Sequence, residues 1–459
     1  MRKRVTIMDR VHEHITLPDI VVQALDTPQV QRLRGLRQLG VSSYLYPSAT
    51  HSRFEHSIGV AHLGRVYLEA LRGNQPELGI TDRDVELLML AGLCHDLGHG
   101  PFSHLFEDVI AKHLKASDGG PSFCHEDMSL LLARRVMEDY LQLPAHDVSH
   151  VLLLIQGRGD VHIPYHQLIS NKDAGIDVDR LDYFIRDSTC CFGKPAMDVR
   201  VHRLFNASRL VWDTDAGRWC CAFEEKLAFT LRDLFALRAK LHKEIYQHRV
   251  VKAVGHMIGD AFRLAAPHLC VGGASLIDCV VNPDKFLSLG DWILDSIEHI
   301  AEPALFPARQ VIQRLRRREL YRLVGSQSVR SDSIHELLCP DRIASILRKA
   351  LPSSESTFPD APRFIVDTVT INQGRGSRDP LKSVRFYNPK RDASAAVELR
   401  CLQDTTDLYT PRSFEEKTIV VFDRGEEPRG ELRSAFEEWR GAVDREGLSC
   451  TATPSSNAW

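Results

Sequence analysis

The chain lacks the features that mark disulfide-built, secreted or membrane-spanning proteins. Its eleven cysteines are odd in number and scattered, and no pair stands in a C-x-x-C spacing. That argues against a disulfide framework and a zinc knuckle, and fits a reducing intracellular compartment, nucleus or cytoplasm. No run of eighteen apolar residues occurs, and the basic start MRKRVTIMDR has no apolar stretch behind it. Neither a membrane span nor a signal peptide is expected. Charge of one sign is also missing: 58 Lys plus Arg stand against 61 Asp plus Glu, a formal net charge of -3, which excludes a globally basic nucleic-acid scaffold. Internal repeats and low-complexity segments are absent too.

What is present is helical periodicity. Over the first three hundred of 459 residues, apolar positions recur mostly at helical spacing. In Thr81 to Cys94 they run almost all round (Val85, Leu87, Leu88, Met89, Leu90, Ala91, Leu93), as in a buried helix. Thr81 or Asp82 can cap its start, and Gly98 and Gly100-Pro101 end it. Further helices are expected near Leu17–Leu25, Thr27–Leu36, Phe54–Leu71, Pro101–Leu114 and Glu126–Tyr140, with Glu224–Leu264 as one long spine. The pattern changes after Pro340. Pro352 to Thr357 resembles a linker, and Phe364 to Ile371, Ser383 to Tyr387 and Thr418 to Phe422 read as strands, the first two joined by a loop over Asn372 to Pro380. A helix near Arg429–Glu446 follows. The expected fold class is mainly α, with a helical core over 1–340, a small α/β lobe over 341–446 and a tail without structure over 447–459.

Four residues suggest a metal site: His56 within a helix, the adjacent pair His95-Asp96 at the end of the buried helix, and Asp179 in Gly175-Ile-Asp-Val-Asp. Two imidazoles and two carboxylates suit a divalent Fe, Mn, Zn or Mg ion better than a thiolate-preferring one. A charged Asp96 beside an apolar helix is costly unless paired or metal-bound. A lone His-Asp dipeptide would carry little weight, but His95 to His104 gathers three histidines and an aspartate around glycines, a density that points to phosphate handling. A bound cation would activate water near neutral pH, while His99, His104 and His125 could shuttle protons or hold phosphate oxygens. His125, followed by Glu126 and Asp127, could equally be an exposed helix start. Arg53, three residues before His56, shares its helix face and could reach the same phosphate or be a surface charge.

These residues fall in an ordered series. Asp9, Asp26-Thr-Pro-Gln-Val-Gln-Arg-Leu-Arg, Gln38-Leu-Gly, Arg53-Phe-Glu-His-Ser, Ala91 to His104, Gly175-Ile-Asp-Val-Asp and Tyr246-Gln-His follow one another, with a weaker match into the strands after Phe364. The series closely resembles the SAM-and-HD-domain deoxynucleoside triphosphate triphosphohydrolases. The resemblance implies an HD-type all-helical metal phosphohydrolase core that cleaves deoxynucleoside triphosphates at the α-phosphate, giving deoxynucleoside and inorganic triphosphate. It implies His56, His95, Asp96 and Asp179 as metal ligands, His99 and His125 as catalytic histidines, and His104 as an α-phosphate contact. Gln38, Leu39, Arg53, Arg180, Tyr183, Asp187, Arg238, Tyr246 and Gln247 would form the substrate pocket, with Tyr183 against C2′, where a phenol leaves no room for a 2′-hydroxyl. It further implies a homotetramer activated by guanosine triphosphate and deoxynucleoside triphosphates, with Asp26, Gln31 and Arg34 reading guanine and Tyr46, His248 and Arg249 as neighbours of the activator site.

The chain departs from the family pattern in places. No SAM domain is expected ahead of the core, Val5 and Arg180 stand where lysines are usual, and the aspartate that partners a catalytic histidine aligns with Glu107, next to Asp108. Two other readings remain at this point. One is a nucleotide-responsive protein binding single-stranded nucleic acid through Arg314-Leu-Arg-Arg-Arg and Arg322; the other is HD phosphodiester or nucleotidase chemistry.

Overall fold

A strand pair comes first in the computed structural model, which describes residues 4–111, 123–159, 162–214, 216–330, 332–333, 335–349, 351, 361–391, 410–425 and 430–450. Strand β1 (Val5–Asp9) runs antiparallel to β2 (Glu13–Leu17), with Val5 opposite Leu17 and Asp9 opposite Glu13. The helix expected from Leu17 therefore begins only after the extended Pro18, as α1 (Asp19–Leu25). The segment expected as one helix over Thr27–Leu36 is a single turn, Pro28–Gln31, tightening into a 3-10 turn over Arg32–Gly35. Its cap position is Thr27.

Two long helices carry the centre. In α2 (Arg53–Asn74), Ser52 Oγ accepts from the Glu55 amide while Glu55 reaches back to the Ser52 amide, a capping box that starts the helix. Helix α3 (Asp82–Cys94) starts with the same device, Thr81 and Asp84 bonding reciprocally at 2.7 and 3.2 Å, so Thr81 is the cap. Every residue from Leu87 to Cys94 is buried, as the periodicity implied, and each large apolar side chain so buried contributes about 1.5–3 kcal/mol. The region expected as a helix over Pro101–Leu114 turns sharply first, with left-handed φ of 60° and 61° at Phe102 and Ser103, and then winds widely over Phe106–Ala111. Residues 112–114 lie outside the described residues. Helices α4 (His125–Arg135), α5 (Ala145–Gln156) and α6 (Val178–Phe192) complete this half; α4 continues as a wider turn over Val136–Tyr140, and α6 is capped by Asp177 and closed by Gly193.

A hairpin unforeseen in the sequence, β3 (Ser208–Asp213) and β4 (Arg218–Glu224), comes next. The single spine expected over Glu224–Leu264 is two helices. Helix α7 (Ala228–Leu241) loosens into a π-turn over His242–Tyr246, and α8 (Arg249–Ala265) starts afresh where His248 turns extended and its Nδ1 accepts from the Val250 amide. The break lets Tyr246 and Gln247 face a cavity instead of continuing a helical surface. Helix α9 (Phe306–Arg316) and the turn after it carry the basic run, whose arginines pair within the chain: Arg316 with Glu298 and Asp295, Arg317 with Glu319, and Arg314 with the Arg424 carbonyl.

The C-terminal sheet has three antiparallel strands, β5 (Arg322–Val329), β6 (Phe364–Asn372) and β8 (Glu415–Asp423), in the order β5-β8-β6. The expected strand at Ser383 to Tyr387 is shorter, β7 (Arg385–Tyr387), and joins β4 in parallel rather than this sheet. Helices α10 (Pro340–Lys349) and α11 (Gly430–Arg445) bury a second core of Ile343, Leu347, Phe436, Trp439 and Val443 against it. The expected linker at Pro352 to Thr357 lies outside the described residues. Of the expected tail, Gly447 to Cys450 are described and run back along β5, the Cys450 amide bonding Ser328 O, while 451–459 lie outside the described residues. Among the described residues no helix is long and apolar enough to cross a membrane.

Candidate active site

Three ligand atoms converge where α2, the end of α3 and the start of α6 meet: His56, His95 and Asp179 place theirs within 4.8 Å of one another. Asp179 Oδ1 is 3.1 Å from His56 Nε2 and 3.6 Å from His95 Nε2. Each imidazole is aimed by its other nitrogen. His56 Nδ1 donates to Asp182 Oδ2 at 2.8 Å and His95 Nδ1 to the Gly92 carbonyl at 2.8 Å, so both rings present Nε2 to the centre. His95 Nε2 is buried without a hydrogen-bond partner. Asp96 flanks the trio: Oδ1 is 3.4 Å from His95 Nε2, and Oδ2 is 3.8 Å from His56 Nε2 and bonded to Arg53. Burial disfavours charge on His56, yet hydrogen bonds to Asp179 and Asp182 outweigh it and push the ring up to about 10. Two convergent Nε2 atoms beside the Asp179 carboxylate fit a divalent cation.

Beside the cluster three histidine rings pack together. His99 stacks on His125 with centroids 4.2 Å apart, and His104 stands edge-on to both at 5.0 and 5.8 Å. The approach depends on Gly98, where a Cβ would fall 2.1 Å from the His125 carbonyl and 2.4 Å from the Ser129 amide; its own amide donates to Ser129 Oγ at 2.8 Å. Glu107, not Asp108, bonds His125 Nδ1. Burial and the Arg53 cation hold His99 well below the usual imidazole range, so it is neutral at neutral pH. Arg53 is no surface charge: it is 2% exposed and also donates to Ser103 Oγ at 2.8 Å.

A cavity of about 520 Å³ opens next to this cluster, and all nine residues expected for a substrate pocket line it: Gln38, Leu39, Arg53, Arg180, Tyr183, Asp187, Arg238, Tyr246 and Gln247. Asp179 is the expected metal ligand in its wall, and His104 the one of the three histidines. Tyr246 donates to Asp187 Oδ2 at 2.7 Å, buried His51 bonds Asp187 Oδ1 at 2.8 Å, and Arg238 reaches Asn372 Oδ1 at 3.1 Å. Burial raises the Tyr183 phenol above its ordinary range, so it meets a ligand as a neutral hydroxyl. A smaller cavity of about 230 Å³ is lined by His95, Asp96, His125 and, again, Asp179.

The residues expected to bind activators lie elsewhere; none lines the larger cavity. Arg34 donates to Gln31 Oε1 at 2.8 Å and stacks 3.6 Å over the Phe54 ring, with Asp26 exposed nearby in sequence. Tyr46 donates to the Glu244 carbonyl, just ahead of half-buried His248 and exposed Arg249. Sequence reasoning missed His51, Asp182, His242 and His256. Asp182 carried a usable signal, three residues after Asp179 on one helical face, whereas nothing local marked His256 as a cavity residue.

Comparison with known proteins agrees with this geometry. The HD domain family model matches residues 53–186, a span holding all four expected metal ligands and the three histidines. A Dictyostelium discoideum protein named deoxynucleoside triphosphate triphosphohydrolase SAMHD1 homolog is 34% identical, the match covering 94% of this chain and 80% of that protein. The Xenopus laevis protein of that name, without the word homolog, is 33% identical over 90% of this chain and 70% of its own length. The human one is 30% identical over 99% and 77%. With that identity sustained along nearly the whole length, the chain belongs to the SAMHD1 family of HD-domain deoxynucleoside triphosphate triphosphohydrolases.

Proposed function

We propose that the chain is a metal-dependent deoxynucleoside triphosphate triphosphohydrolase that releases deoxynucleoside and inorganic triphosphate. The observation that carries this is Asp179, which belongs to the ligand cluster and also walls the cavity lined by all nine pocket residues. His56, His95 and Asp179, with Asp96 beside them, would hold Fe, Mn, Zn or Mg, which when bound supplies an activated water and neutralises phosphoryl charge. Arg53, Arg180 and Arg238, which share the cavity wall with Lys252, would meet the triphosphate. His104 meets a phosphate oxygen from the same wall, and His125, oriented by Glu107, serves proton transfer at the leaving oxygen. Tyr183 stands one helical turn beyond Asp179 and closes the space a 2′-hydroxyl would need.

Activation by guanosine triphosphate and deoxynucleoside triphosphates through a homotetramer belongs to the same reading, supported by the bond between Gln31 and Arg34, close in sequence to exposed Asp26. The nucleic-acid reading rests on the basic run alone, whose Arg316 and Arg317 pair at the surface with Glu298, Asp295 and Glu319. The test is incubation with each deoxynucleoside triphosphate, with and without guanosine triphosphate, and chromatography of the products. Deoxynucleoside plus triphosphate is expected; pyrophosphate or orthophosphate as first product would overturn the reading in favour of another HD chemistry.

A further inference from the structure

Behind the metal cluster lies a chain of buried polar groups for which the reaction itself has no use. Asp182 Oδ2 accepts from His56 Nδ1 at 2.8 Å and from Arg186 Nε at 2.8 Å, while Oδ1 accepts from Arg186 Nη2 at 3.0 Å and from His12 Nε2 at 2.6 Å. Arg186 extends the chain to Asp9, at 2.9 and 3.2 Å, and Asp9 Oδ1 in turn accepts the amides of Val11 and His12 at 2.8 and 2.9 Å. Asp182 and Arg186 are fully buried. Their helix approaches α2 at Gly59, where a Cβ would lie 2.0 Å from Asp182 Oδ1 and 2.5 Å from Arg186 Nη2, so the carboxylate can stand there only against a glycine.

Burying ions in this way is costly, and their mutual attraction seldom returns more than it costs. What such a network delivers is fixed geometry. We propose that the β1–β2 hairpin is a positioning element for the metal centre: His12 directly, and Asp9 through Arg186, lock the Asp182 carboxylate, which fixes the tautomer and orientation of His56 so that Nε2 points at the ion. His12 and Asp9 sit at the turn of that hairpin, where strand pairing ends at Asp9 opposite Glu13, so both are held by its register. His12 is thereby a positioning residue two hydrogen bonds from a ligand, contributed by a different part of the chain from the ligands themselves.

The inference rests on reading His56 as a ligand, and the experiment separates the two. Full-length protein is loaded with Zn or Mn in the absence of nucleotide and dialysed against graded chelator, and retained metal is measured by atomic emission alongside circular dichroism and Tm. His12→Ala is expected to lose metal at roughly tenfold to a hundredfold weaker chelation than wild type, with helicity preserved. His12→Gln, which keeps an N–H donor, is expected to recover most of the affinity. If His12→Ala does not fold, His12→Phe fills the space without a donor and carries the same comparison against His12→Gln. Metal held as tightly by the donorless variant as by wild type, or equal loss in His12→Gln, would overturn the inference alone. A wild-type protein that holds no metal would overturn it together with the ligand assignment.

Discussion

Asp187 serves two neighbours in the cavity wall, and removing its charge has a consequence that can be worked out. Its Oδ2 accepts from Tyr246 and its Oδ1 bonds His51, which is 1% exposed. Burial opposes charge on His51, but the bond to Asp187, with Cys190 adding, raises the ring from 6.5 to about 9. A group whose folded value is raised stabilises the fold fully below its unfolded value and loses that contribution as pH climbs through the folded value. The move corresponds to roughly 3 kcal/mol below pH 6.5, about 2 kcal/mol near pH 7.5, and little above pH 10. In Asp187→Asn the carboxylate is gone and only Cys190 still opposes burial, the largest influence on His51, so the ring becomes neutral and this loss of stability between pH 6.5 and 9 should vanish. Denaturant unfolding of wild type and Asp187→Asn at pH 6, 7.5 and 9.5 measures the difference; the gap between them should narrow by about 3 kcal/mol from the lowest to the highest pH. A gap constant across that range would refute the proposed charge on His51.

Other expectations follow from the same geometry. His95→Ala should remove bound metal and turnover while leaving the helical circular dichroism intact, since only the coordination shell is opened. His125→Ala should keep its metal yet lose roughly a hundredfold or more in kcat, and Glu107→Gln should show a smaller loss in kcat at similar KM because the ring is still present but less firmly oriented. Tyr183→Ala should relax the preference for deoxyribonucleotides, read as the ratio of kcat/KM for a deoxynucleotide and its ribose counterpart; equal losses on both substrates would make Tyr183 a packing residue only. Gly98→Ala should lower Tm and activity together, because a methyl group 2.1 Å from the His125 carbonyl forces α4 away from His99.

Much of the site was legible because its residues sit in short, dense motifs, whereas the parts that were missed depend on pairing between distant segments. His95, Asp96 and the flanking glycines announce themselves within ten residues, and Asp179 to Tyr183 is a helical repeat of four. His51 and Asp187 are 136 residues apart, and only the fold makes them partners. Helix periodicity found α2 and α3 because an apolar stripe is a local property. It failed over Glu224–Leu264, where the apolar pattern continues through a break set by the extended backbone of His248. Strand Arg322–Val329 was invisible for a related reason: most of its residues are half-buried, so it lacks the alternation that marks a strand with one wet face.

The strand order β5-β8-β6 also bears on how the molecule is made. Its central strand is the last of the three in the chain, so when synthesis has reached residue 372 both outer strands exist but neither has the partner that will lie between them. Their hydrogen-bonding edges stay open until Glu415–Asp423 arrives, a non-local closure of the kind that folds slowly and exposes nascent chains to aggregation. The cavity depends on that closure, because Asn372, which holds Arg238, pairs with Glu415 at the end of β6. A ribosome-stalled chain ending before residue 415 would thus carry every proposed metal ligand and every cavity residue, and still leave Asn372, the anchor of Arg238, without the strand partner that fixes it.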